Sequence, residues 1–406
     1  MRYRKNILLI TILFLVLFSI TNRLLATFDS TYCWNNEIDN VKQVSANIKS
    51  NLELQSGSAI LIEENTGEVL YEHNIHEKLK PASVTKVMTL LLIMEEIDSE
   101  RMLYTDKIPC TENAAAMGGS QIWLDVREEL TVDEMLKAIC VVSANDCTVA
   151  MAEYISGSQN AFVDRMNKKA KELGMNDTIF KNCHGIDEEG HETSAYDISL
   201  MSRELLLKHP NIKKYTTIWM DTLRDGKSQL VNTNKLIKNY KGATGLKTGS
   251  TSGALYNLSA SATKDNLSLI AVIMKAPTTK IRFNEAKMLL DYGFNNYIYK
   301  EFGKKGDVVA KVKINKGKTE MAEAVLDENI GLIIEKGKEN KIEQKIEIEK
   351  NINAPIYSGQ KIGKISYKDS NGKIIETSVM LKEDIEKKDM KYIIKDIYRR
   401  YFTIIK

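Results

Sequence analysis

Pro81-Ala82-Ser83-Val84-Thr85-Lys86-Val87-Met88-Thr89-Leu90-Leu91 combines Ser-x-x-Lys with an apolar run. Pro81 and a small polar residue ahead of periodic apolar positions predict a helix start near Ser83. Residues three apart lie on one helix face, so Ser83 and Lys86 can meet there. A serine hydroxyl is a poor nucleophile without a base beside it. A lysine can be that base once burial lowers its pKa and leaves it partly neutral. Ser-x-x-Lys is common by chance, and two further motifs raise its weight. Ser143-Ala144-Asn145 falls in the middle of a predicted helical stretch, and Lys247-Thr248-Gly249 stands just ahead of an apolar strand pair. The trio, in this order and context, points to acyl transfer through Ser83.

The 406 residues suggest two domains with a sizeable core. A net charge of only +3 argues against a nucleic-acid partner. Cysteines 33, 110, 140, 147 and 183 form no C-x-x-C pair, and their odd number excludes complete internal pairing. Cys140 and Cys147, two helical turns apart, read as core thiols. A zinc site would draw on Cys183, His184 and His191, but their spacing matches no common zinc pattern, so no metal is expected.

Arg2, Arg4 and Lys5 precede an almost wholly apolar run of 14 residues, Ile7 to Ile20, too short for an ordinary membrane span. With Leu24-x-Ala26 this reads as an export signal over residues 1–26, cleaved or kept as an anchor. Residues 27–48 read as a lead-in. Strands are expected at 58–63 and 68–72 around an Asn65-Thr66-Gly67 turn. Thr131-Val132-Asp133-Glu134 is a capping box for a helix running up to Ser143. Further helices are expected at about 159–173, from Ser194 to about Leu207, and from Phe283 to Tyr292 with Gly293 as the stop. A hairpin over 254–262 and 267–274 is apolar enough for the middle of a sheet.

From about Tyr297 short alternating strands and Gly turns predict a small all-β, sandwich-like domain over 297–382. The last stretch, 383–406, is an amphipathic helix pattern. Met390, Ile393, Ile394, Ile397, Tyr398, Tyr401 and Ile405 fall on one side, and Lys387, Lys388, Lys391, Lys395 and Arg399 on the other. Such a chain end predicts contact with a membrane surface; the rival expectation packs it on the β domain.

PASVTKVMT at 81–89, GGSQIWL at 118–124, SAN at 143–145, NCHGIDEEGH at 182–191 and KTGSTSGALYNLSASA at 247–262 carry a family resemblance. With the signal segment, β domain and terminal helix, the whole chain resembles low-molecular-mass penicillin-binding proteins, the serine D-alanyl-D-alanine carboxypeptidases, with the sporulation-type branch nearest. The resemblance implies an α/β (α+β) catalytic domain over 49–295, with a central antiparallel sheet and helices of the β-lactamase-like kind. It also implies removal of the terminal D-alanine from peptidoglycan stem peptides, covalent penicillin binding, no cofactor, and a place on the wall side of the cytoplasmic membrane. Under it Ser83 is the acylated nucleophile, Lys86 its base and Ser143 the hydroxyl relay to the leaving amine. Asn145 binds a substrate amide and holds Lys86. Lys247 and Thr248 recognise the terminal carboxylate, with Arg282 as a second cation. Gly249 admits the substrate backbone, and the N–H groups of Ser83 and Ser250 form an oxyanion hole. Many relatives have His where this chain has Ser250.

A transpeptidase or endopeptidase would share this chemistry. A β-lactamase would also need a deacylating loop Glu with Asn four residues on. Glu172 and Asn176 fit that spacing, but Glu172 reads as the end of a helix stopped by Gly174. An inactive wall-binding protein would not need an intact trio.

Overall fold

The computed structural model describes residues 52–338, 342–369 and 372–404, with side chains to Arg399. The expected signal segment and lead-in lie outside these residues.

Five strands form an antiparallel sheet. They are β1 (Ser58–Glu63), β2 (Val69–His73), β3 (Ala243–Thr251), β4 (Leu255–Lys264) and β5 (Leu267–Ala276), in the order β2-β1-β5-β4-β3. Two of the interior strands, β1 and β5, are buried at nearly every position and mostly apolar because both of their faces are covered. Alternation then sorts the side chains. Ile60, Ile62, Ile270, Val272 and Met274 join the main core with helices α1 (Lys86–Asp98), α2 (Val132–Val141), α3 (Asn145–Ser156), α4 (Gln159–Glu172) and α5 (Ala195–Lys208). Leu61 and Leu269 point the other way, against α6 (Thr279–Asn296). Helix α1 is buried almost all round, which its unbroken apolar run requires, and it packs on α3 and α5. Each such side chain taken from water contributes about 1.5–3 kcal/mol.

Three local expectations are corrected. Ser143-Ala144-Asn145 is not inside a helix. α2 ends at Val141, Ser143 takes a left-handed φ of 66°, and α3 begins at Asn145. Apolar periodicity runs through the junction because both helices bury neighbouring faces. Lys247-Thr248-Gly249 lies within β3 rather than before the first strand. Gly293 does not end α6, which starts at Thr279 and continues to Asn296. A side chain at Gly293 would meet Leu269 Cδ1 at 2.5 Å and Leu61 Cδ2 at 3.0 Å, so this glycine lets the helix approach the sheet.

Between α6 and residue 382 the described residues are all β: β6 (Tyr297–Gly303), β7 (Val308–Asn315), β8 (Met321–Leu326), β9 (Ile330–Glu335), β10 (Glu343–Ile348), β11 (Ile352–Asn353), β12 (Lys361–Lys368) and β13 (Ile374–Leu381). β6 pairs with β9, and the others form a sheet ordered β10-β12-β13-β8-β7-β11. Its separate core includes Ile314, Leu332, Ile365, Val379 and Leu381. An ion pair between Lys373 and Glu68 ties it to the β1–β2 hairpin. The final helix, α7 (Met390–Ile404), starts later than the periodicity suggested. Ile385 is buried in the β-domain core and bridges to Ile356, so residues 383–388 belong with the sheet. Asp389 caps α7 through the N–H of Tyr392.

Candidate functional site

Ser83 sits in a single 3₁₀ turn, Ala82–Thr85, directly before α1. Asn257 on β4 fixes the approach to that turn, its Nδ2 donating to the carbonyls of Lys80 (2.8 Å) and Pro81 (3.0 Å). Strand β3 lies against the same turn. A Cβ on Gly249 would stand 2.9 Å from Pro81 O, Ser83 N and Val84 N, so only glycine permits this contact. Across the turn Gly185, at φ +91°, leaves no room for a side chain, which would come within 1.9 Å of Ala82 O.

Lys86 is wholly buried, and its Nζ lies 3.2 Å from Ser83 Oγ. The amine also donates to Asn145 Oδ1 (2.6 Å) and to His184 O (2.7 Å). An ammonium carries three N–H donors. A neutral amine has two donors and a lone pair, and the two acceptors take both donors. The lone pair is then left facing the Ser83 hydroxyl. Burial, helped by the positive charge of Lys247, holds the Lys86 pKa well below its ordinary value.

The loop 182–191 presents the His184 carbonyl through its internal bonds. Asn182 donates to Ile186 O and accepts from Gly185 N, and Thr89 Oγ1 donates to Cys183 O. His191 accepts from Lys181 N and meets Thr85 Oγ1 at 2.8 Å, so both ring nitrogens are engaged. Burial pushes the histidine pKa values down, to about 3 for His184 and about 4 for His191. Both rings are neutral near pH 7, and they brace the loop.

Lys247 is buried on β3 and donates to Thr248 O at 3.0 Å. Burial first, then the Arg282 charge, lower its pKa to about 7. Thr248 Oγ1 donates to Thr233 Oγ1 (2.7 Å), while Ser250 is exposed at the strand end. Ser143 Oγ is buried and has no hydrogen-bond partner among the described residues. Arg282 is largely buried. One guanidinium nitrogen donates to Gly249 O (3.2 Å) and Asn257 O (3.1 Å). Glu172 ends α4, paired with Lys169 at 3.0 Å.

Asn257, Thr233, Gly185 and the His184 carbonyl were not singled out from sequence. His184 and Gly185 lie in the motif at 182–191 and Asn257 in that at 247–262, where a polar Asn stands in a mostly apolar strand; Thr233 carries no signal.

A serine facing a buried lysine whose pKa is held well below its ordinary value defines a serine peptidase class in which lysine takes the place of histidine. A family model described as D-alanyl-D-alanine carboxypeptidase matches residues 42–278, and one described as penicillin-binding protein 5, C-terminal domain, matches 297–387. The chain is 48% identical to D-alanyl-D-alanine carboxypeptidase DacF of Bacillus subtilis, over 83% of this chain and 88% of that protein. Among solved structures, penicillin binding protein 5 from Haemophilus influenzae superposes with a TM-score of 0.72 at 30% identity, covering 83% of this chain and 99% of the other. Penicillin-binding protein D2 from Listeria monocytogenes in the ampicillin-bound form gives 0.56 at 28% identity, covering 60% and 100%. The chain belongs to the D-alanyl-D-alanine carboxypeptidase family.

Proposed function

We propose that this chain removes the terminal D-alanine of D-Ala-D-Ala-ending peptidoglycan stem peptides and is acylated by β-lactams. The observation that carries the reading is the wholly buried Lys86 amine, which donates to Asn145 Oδ1 and His184 O and lies 3.2 Å from Ser83 Oγ. Lys86 takes the Ser83 proton as Oγ attacks the scissile carbonyl. The backbone N–H groups of Ser83 and Ser250 receive the oxyanion. Ser143, whose hydroxyl has no partner among the described residues, passes the proton to the leaving D-alanine nitrogen. Water then attacks the ester on Ser83. Asn145 holds Lys86 and offers an N–H to the substrate amide. Lys247 and Thr248 bind the carboxylate, and Gly249 lets the substrate strand come close. Arg282 braces β3 through one guanidinium nitrogen on the Gly249 and Asn257 carbonyls and adds a second positive charge for the carboxylate. The test is D-alanine release from a soluble pentapeptide ending in D-Ala-D-Ala; no release by the mature chain overturns the reading.

The pH dependence follows from the two lysines. kcat/KM reports the free enzyme. Lys86 must be neutral, so kcat/KM rises with pH as it loses its proton. Lys247 must be charged to hold a carboxylate, and its pKa is about 7. We therefore expect kcat/KM to fall above about pH 7, and Lys247→Gln to lower the maximum and remove that falling limb. A limb that persists in the variant would assign it to another group.

α7 supports a membrane-surface placement on the exported, wall-facing side. Met390, Ile393, Ile394, Ile397 and Tyr398 are exposed along it, although an apolar face packed on the β domain would be covered. No helix among the described residues is long and apolar enough to cross a membrane. Each basic residue near an anionic surface adds about 1 kcal/mol. Truncation after Lys388 keeps Ile385 in its core, so the mature protein should retain its melting temperature and D-alanine release. It should no longer sediment with anionic vesicles. Equal sedimentation of both forms rejects the anchor.

A further inference from the structure

The loop Gly118–Leu124 forms a wall of the site that the reaction above does not use. Gly118 O accepts from Asn145 Nδ2 and Ser120 O from Asn145 N, both at 2.7 Å. Farther along, the buried Asp146 carboxylate accepts from Ile122 N (3.0 Å) and Leu124 N (3.1 Å). From the other side Arg224 donates to Ile122 O (2.8 Å) and Trp123 O (3.1 Å), while Glu128 holds the same guanidinium. Ile122 and Leu124 are buried, whereas Trp123 between them is 74% exposed at a left-handed φ of 59°. A bulky aromatic residue at positive φ is a rare conformation. Here five hydrogen bonds to the backbone of 120–124 hold its main chain and leave the indole in water, three residues along the loop from the Ser120 carbonyl that Asn145 N–H meets.

We infer that Trp123 is a stacking platform for a saccharide ring, the glycan portion of the polymer whose stem peptide is cleaved. The inference rests on the proposed function. The reacting dipeptide end is provided for by polar groups on Ser83, Asn145, Lys247 and Thr248, so an exposed aromatic ring on the loop that adjoins Asn145 serves a more distant part of the substrate. An apolar side chain would be matched by a concave, buried site. An open, flat indole suits a ligand with one apolar face and hydroxyls that stay in water, which describes a pyranose. Such amphipathic contacts are what exposed Trp provides at binding surfaces. A rigid ring loses little freedom on binding, which raises its contribution.

The experiment compares the mature chain with Trp123→Ala and Trp123→Phe on two soluble substrates, a pentapeptide ending in D-Ala-D-Ala and the same pentapeptide attached to a disaccharide. Wild type should prefer the disaccharide form. In Trp123→Ala the ratio of kcat/KM for disaccharide-pentapeptide to free pentapeptide should fall about tenfold, the size of one aromatic stacking contact. Trp123→Phe should restore most of it. Free disaccharide should perturb the fluorescence of wild type and not of Trp123→Phe. An unchanged ratio overturns the platform. So does an equal loss on both substrates, which would mean a peptide contact or a collapsed loop. Absence of D-alanine release by wild type from either substrate is a different failure and overturns the proposed function itself.

Discussion

Ser83→Ala is expected to lower D-alanine release by at least about 10⁴-fold, the scale on which loss of a nucleophile acts when the rest of the site remains. Incubation with a penicillin should add one drug mass to a wild-type peptide containing Ser83 and none to the variant. The substitution removes one oxygen from a half-buried turn that Asn257, Gly249 and Gly185 hold by backbone contacts. The fold and the carboxylate-binding strand should therefore survive, and the melting temperature should move little. A non-covalent D-Ala-D-Ala ligand should still bind, because Lys247 and Thr248 are untouched. Undiminished turnover, or drug mass on another serine, would end the assignment of Ser83. Ser143 is the other buried serine of the site, and its Oγ, without a partner among the described residues, makes it the position to inspect.

Much of this was legible in the sequence where a local rule coincides with the global need. The Ser83–Lys86 spacing works because a 3₁₀ turn runs into α1, which brings residues three apart together. The capping box at Thr131 and the Ser194 cap mark true helix starts, since their bonds are local. Legibility failed where a residue answers to something distant. Gly293 looked like a helix stop, but its reason is the side chains of Leu61 and Leu269 on the sheet. Ser143 looked helical because the apolar period continues past it, whereas its positive φ aims the hydroxyl from a junction of two helices. Asn257 acts on a turn 176 residues away in sequence. Arg282 could be read as a cation, but not as one that sets one guanidinium nitrogen on the backbone carbonyls of Gly249 and Asn257. The exposed Trp123 was visible only as part of a motif, because the clamp that presents it comes from Asp146 and Arg224.

Lys86→Arg is the second large effect, and it separates charge from basicity. The guanidinium keeps a positive charge in place but does not lose a proton in proteins. Losing a general base costs about 10²–10⁴-fold, and the longer head group also misplaces Ser83 in a wholly buried slot. We expect acylation by penicillin and D-alanine release to fall together by at least about a thousandfold. The pH profile is the more specific readout. In wild type the Lys86 pKa is held down by burial and by Lys247, so acylation should rise with pH until the amine is neutral. In the variant that limb should vanish, because nothing there titrates. The same depressed pKa has a stability consequence whose sign is fixed. The unfolded chain binds the lysine proton more tightly than the folded one, so Lys86 opposes folding as pH falls below its unfolded value of about 10.4. Lys247, with a folded pKa of about 7, adds a penalty of the same sign that grows from its unfolded value down to that point. Lys86→Arg cannot relieve its share by losing a proton, so the variant should melt lower than wild type across the neutral range. A penicillin complex of wild type analysed by mass would still carry the drug on Ser83. A variant within about tenfold of wild-type acylation would place the base elsewhere, since removal of a general base costs more than that.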